Sequence, residues 1–156
     1  MTFAKGTNVS RGRSRAEIED TLERFGCEGT MIGQDGRSAV VAFKARGRQI
    51  MFRMTMPEPD DKAFRWTPTG KARTPPVAKA AYDQEVRRMW RAMTMSIKAK
   101  LVSVEDGIET FEQAFMAHVV MPDGLTISDH VSGRIAIAYD TGEMPRLLPG
   151  PKGGEA

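Results

Sequence analysis

Ser38-Ala-Val-Val-Ala-Phe-Lys-Ala45, the turn Arg46-Gly47-Arg48, and Gln49-Ile-Met-Phe-Arg-Met-Thr-Met56 form the stretch that decides the fold. The second run alternates, placing Ile50, Phe52, Met54 and Met56 on one face, as a half-buried strand requires. The first is a near-continuous apolar run through Val40, Val41 and Phe43, which suits a central strand. Upstream, Cys27 to Gly33 is strand-like, weakened by Gly29 and Gly33. It joins the first run through Asp35-Gly36, a strong hairpin signal. The pattern predicts a three-stranded antiparallel meander, and a fourth strand near Thr7 to Ser10 also fits.

Helices flank this sheet. Ser14-Arg15-Ala16-Glu17 reads as a capping box, and Ile18, Leu22 and Phe25 then share one helical face before the stop at Gly26. Beyond Met56, residues 57–76 hold five of the nine prolines and read as a long loop carrying Phe64 and Trp66. A loop of this length is often functional, although both aromatics would equally serve to pin it to the core.

Thr74-Pro75-Pro76 opens the longest helix, running to about Glu105. Val86, Met89, Met93, Ile97, Leu101 and Val104 form its apolar stripe, which either packs only on the sheet or also serves as an oligomer seam. Thr110-Phe111-Glu112-Gln113 is a second capping box. A last helix is expected over about Ser128 to Tyr139, with Val131, Ile135 and Tyr139 in register. Leu147 and Leu148 are expected to dock a Pro/Gly-rich tail.

The fold class is therefore α+β in one domain over residues 1–156. An N-terminal helix on a three- or four-stranded antiparallel sheet fills 1–56, the loop 57–76, a helical part with one long helix 77–142, and the tail 143–156. The composition, 40% hydrophobic and 28% charged, is that of a chain with a real core.

Several function classes fall away. No apolar run approaches the ~20 residues of a membrane helix, and the first residues lack a signal-peptide core. The lone Cys27 allows no internal disulfide and suits a reducing cytosol. With His118 and His130 the only histidines, and no HExxH spacing, no metal site is expected; His118 reads as a structural histidine. Neither a nucleophile elbow nor a P-loop is present. The chain reads as non-enzymatic and cofactor-free, with a carboxylate pair assembled by the fold left open.

Charge is the remaining signal. Residues 1–104 carry 20 Lys/Arg against 11 Asp/Glu, whereas residues 105–156 carry 3 against 9. Such asymmetry sets up a directed field that attracts phosphate-rich partners. Arg11, Arg13 and Arg15 cluster at a helix start, and Arg46 and Arg48 flank a hairpin tip. Arg65 sits beside Trp66 in the proline-rich loop, with Lys62, Lys71 and Arg73 nearby. Arginines clamp phosphates, and an aromatic in a basic loop stacks bases. These seven residues, Arg11, Arg13, Arg15, Arg46, Arg48, Arg65 and Trp66, are the candidate ligand-binding set. Solvated surface is the plain alternative for each cluster.

The blocks Trp90-Arg91-Ala92, Ile97-Lys98-Ala99-Lys100-Leu101, Thr110-Phe111-Glu112, Phe115-Met116-Ala117-His118 and Met121-Pro122-Asp123-Gly124, with Tyr139 to Pro149 and Ser14 to Gly26, resemble a family of small uncharacterised accessory proteins of tailed, often temperate, bacteriophages. Residues 57–76 match poorly. No activity is established for that family. The resemblance implies a host bacterial cytoplasm as the setting, and either a nucleic-acid or nucleotide ligand or a host defence protein as the partner. In the first case a defence signal would be sequestered; in the second an immune protein would be inhibited by direct contact.

Overall fold

The computed structural model describes residues 2–150. The order is α1 (Arg11–Arg24), β1 (Glu28–Asp35), β2 (Ser38–Ala45), β3 (Arg48–Thr55), a one-turn α2 (Lys62–Arg65), the 31-residue α3 (Pro75–Glu105), α4 (Phe111–Phe115) with a 3-10 turn at Met116–His118, and α5 (Ile127–Thr141). The α+β class holds, with three antiparallel strands in the order β1-β2-β3. Thr7 to Ser10 adds no fourth strand.

Two glycine-bearing turns set the meander. Gly36, first central residue of the β1–β2 turn, has φ +53°, as a type II′ turn demands. Arg46 and Gly47 both have positive φ (+50° and +73°), the signature of a type I′ turn. Val41, Phe43, Ile50, Phe52 and Met56 all point inward and are buried. α1 and α3 cover that face, and Phe115 of α4 meets the rings of Phe43 and Phe52 edge-on.

α1 starts one turn earlier than the Ser14 capping box suggests. Ser10 is the N-cap, its hydroxyl accepting from Arg13 N–H at 3.1 Å. Ser14 and Glu17 serve the α1–α3 contact instead. The Ser14 carbonyl accepts from the Thr94 hydroxyl at 3.2 Å, and Glu17 pairs with Arg91 and, at 3.8 Å, with Lys98. The helix ends as expected. Gly26 (φ +71°) donates to the Glu23 carbonyl and Cys27 to that of Leu22, a Schellman closure.

The expected stripe of α3 faces the core: Val86, Ile97 and Leu101 are buried, and Met89, Met93 and Val104 pack half-buried against them. The Thr110–Gln113 capping box is present. α5 is present where expected, but the face its register sets is left uncovered. None of its residues is buried, and Ile135 (44%) and Tyr139 (88%) are exposed. Leu147 and Leu148 are also exposed rather than docked. Residues 151–156 of the proposed tail lie outside the described residues.

The start of α5 carries a pH-dependent cap. The Asp129 carboxylate accepts from the Thr126 N–H and hydroxyl, each at 2.8 Å, and from Arg53. The Thr126 N–H bond leads in lowering its pKa from 3.8 to about 2. A carboxylate with a lowered folded-state pKa contributes stability above its unfolded value and loses it as pH falls through the folded one. Amide exchange over Ile127–Val131 is therefore expected to accelerate as pH drops from about 4 to about 2, beyond its intrinsic pH dependence, and Asp129→Asn to abolish that transition.

Candidate ligand cleft

The proline-rich stretch is ordered, for reasons its sequence contains. Asp61 caps α2 by accepting from Ala63 N–H at 2.8 Å. Phe64 is buried, edge-on to Tyr82 of α3 at 5.6 Å. Trp66 bridges antiparallel to Ala72 across a turn in which Thr67 N–H donates to the Lys71 carbonyl. Arg73 closes the segment, its Nη1 donating to the carbonyls of Ala63 (2.8 Å) and Phe64 (3.2 Å). Phe64 thus does the pinning, whereas Trp66 remains 48% exposed.

Trp66 stands in the wall of a cleft of about 500 Å³ between this segment and the first turns of α3. Tyr82 and the prolines Pro59 and Pro75 give it apolar walls, and Arg65, Arg73, Lys79 and Asp60 supply charge. Three cations thus face one carboxylate. Arg65 shares Asp60 at 2.7 Å, and Lys79 pairs with Asp83 one turn on at 2.6 Å. Both are exposed pairs, cheap to open for a competing anion. Among the described residues, the Arg73 guanidinium is engaged through Nη1 alone. The volume suits a small molecule or one or two nucleotides.

The seven candidates fall in three places. Arg65 and Trp66 share the cleft. Arg11 and Arg15, one helical turn apart, flank a shallow polar basin with Gln34 and Gly36, while Arg13 projects from another side of α1. Arg15 is partly committed, donating to the Ile32 carbonyl at 3.0 Å and lying over Trp90 at 5.5 Å. Arg46 and Arg48 sit at the opposite end of the sheet. Arg46 lies over Phe111 at 5.6 Å, and Arg48 donates to the Arg46 carbonyl and approaches Glu112 at 3.6 Å. Tyr82 and Lys79 also line the cleft, outside the candidate set. Tyr82 extends the α3 stripe one turn before Val86, which signals that these first turns also carry a cover.

His118 is half-buried, stacked on Phe52 at 3.9 Å, and its pKa is lowered mainly by burial and then by Lys100. The Cys27 thiol is half-buried, and burial raises its pKa. No His, Cys, Asp and Glu cluster among the described residues has the makings of a metal site, and no helix there is long and apolar enough to cross a membrane. Comparison with family models, curated proteins and solved structures finds no match. Fold and site together define an α+β protein with a cationic, aromatic-walled cleft.

Proposed function

We propose that this protein binds a phosphate-bearing ligand, either single-stranded nucleic acid or a nucleotide, with Trp66 as the stacking surface and Arg65, Arg73 and Lys79 as the phosphate contacts. The half-exposed Trp66 in a cleft with three cations is the observation that carries this reading. The phage resemblance supplies the biological setting, an accessory role in the host bacterial cytoplasm, where sequestering a nucleotide signal needs no catalytic group.

Intrinsic fluorescence tests it directly. Trp90 is fully buried, so a ligand-dependent change reads Trp66. An oligo(dT) strand or ATP is expected to quench the emission, with affinity falling as salt rises, more steeply for the strand because it releases more counterions. Emission that neither probe alters at low salt defeats the proposal.

Arg46 and Arg48 separate the two ligand forms. Their turn borders Leu101 and Val104, near one end of α3, while the cleft contains Tyr82. Nineteen helical residues correspond to roughly 30 Å. The double substitution Arg46→Ala, Arg48→Ala is expected to weaken binding of a strand long enough to reach both places and to leave ATP binding unchanged. Equal loss for both probes rules out this division.

The alternative, direct contact with a host immune protein, is favoured by α5, where Ile135 and Tyr139, one turn apart on one face, are both exposed. Inhibition that survives nuclease treatment and is lost on Ile135→Glu would select it.

A further inference from the structure

β3 is an edge of the sheet, and its register fixes where its unpaired main-chain groups point. Met56 N–H donates to the Arg37 carbonyl at 2.7 Å. Antiparallel hydrogen-bonded pairs recur at every second residue, so Met54, Phe52 and Ile50 direct their main-chain groups at β2. Met51, Arg53 and Thr55 direct theirs outward. The beginning of this edge is closed: Val119 bridges Ile50 antiparallel, and Val120 N–H donates to the Gln49 carbonyl at 2.8 Å. The 3-10 turn at Met116–His118 then carries the chain away. Among the described residues, no backbone partner meets Arg53 or Thr55 on this side. The His118 ring then lies against the Met51 main chain and stacks on Phe52, so a fourth-strand position is occupied as far as Met51 and its outward groups are open only at Arg53 and Thr55.

A groove of about 410 Å³ runs beside the open part, between the β3 edge and α3. Phe52, Met54, Met89 and Met93 give it an apolar floor, and Arg53 and Arg88 are its charged groups, with no carboxylate in the lining. Each guanidinium already shares one acid, Asp129 and Glu85 respectively, which an incoming carboxylate would join or displace. A second copy of β3 fits poorly. A two-fold axis at Arg53 would set two arginines directly opposite, a destabilising pair.

We propose that the end of β3, from Arg53 to Thr55, binds an extended segment of another protein in which apolar and acidic residues alternate, adding it to the sheet as a strand. Its main chain would meet the outward groups of Arg53 and Thr55. Every second side chain would enter the Met54–Met89–Met93 groove, and the intervening carboxylates would lie beside Arg53. Main-chain bonds supply affinity in such strand addition, and alternate pockets supply specificity. Methionines suit the pocket because their unbranched side chains adapt to varied apolar shapes.

The test is anisotropy of a labelled heptapeptide alternating valine and glutamate, with its valine–lysine counterpart as control. The glutamate peptide is expected to bind and to slow amide exchange at Arg53 and Thr55, and the lysine peptide not to bind. Thr55→Pro removes an outward donor without breaking the β2 ladder, as proline on an edge strand permits, and is expected to weaken binding about tenfold. Arg53→Glu gives the same readout should Thr55→Pro fail to fold. Equal binding of both peptides, no binding with peptide in large excess, or protection that misses Arg53 and Thr55 overturns the proposal. So does edge protection that grows with protein concentration alone, which would assign the edge to a second copy.

Discussion

Trp90→Ala is expected to cost about 3–5 kcal/mol of stability, the largest effect of any single substitution considered for this chain. Trp90 is fully buried in the core, and it belongs to α3, whose contact with α1 includes the neighbouring Thr94–Ser14 bond. Truncation removes the largest fully buried side chain and leaves a cavity that a closely packed core closes only in part. It also strips Arg15 of the ring it lies over. For a domain of this length, each kcal/mol moves the melting temperature by about 2–4 °C, so a fall of about 6–20 °C by calorimetry is expected. Trp90→Phe separates volume from polarity. Among the described residues the indole Nε1 has no hydrogen-bond partner, so phenylalanine removes an unsatisfied buried donor while keeping most of the ring. Its cost should be well below that of alanine. If the two substitutions prove equal, the ring is not what fills this part of the core.

How far the sequence leads depends on whether a pattern has one structural use or two. Ile50, Phe52 and Met56 alternate, and alternation beside two glycine-bearing turns admits little but a meander. Ser14 and Glu17 show the opposite case. The Ser-x-x-Glu spacing that makes a capping box also puts both residues toward α3, and the tertiary contact wins because Ser10 can cap one turn earlier. The cleft is mixed in the same way. Trp66 and Arg65 stand out because an aromatic among cations in a proline-rich loop has no periodic role to play. Tyr82 continues the apolar stripe of α3, so nothing in its spacing distinguishes a cleft wall from a core position. α5 shows the limit of periodicity: Val131, Ile135 and Tyr139 lie in register, but register specifies which residues share a face, not whether anything covers it.

Trp66→Ala is expected to weaken ligand binding by about 1–3 kcal/mol, roughly 5- to 150-fold, because each base stacked on an aromatic contributes that much. Its effect on folding should be small. The side chain is half-exposed, and the Trp66–Ala72 bridge that orders the segment is made by main-chain atoms, which alanine retains. Phe64→Ala is the contrasting substitution two residues away. Phe64 is buried against Tyr82 and is expected to lower the melting temperature by loosening the whole segment, carrying any loss of binding with it. Trp66→Phe keeps a stacking face and should recover much of the affinity, whereas Trp66→Leu keeps bulk without a π surface and should not. Titrations of ATP and oligo(dT), monitored by calorimetry because the fluorophore is lost, decide the matter. A Trp66→Ala variant that melts early while binding with full affinity would make Trp66 a brace for the loop. The ligand would then be held without stacking on Trp66, and the proposed stacking role would fall.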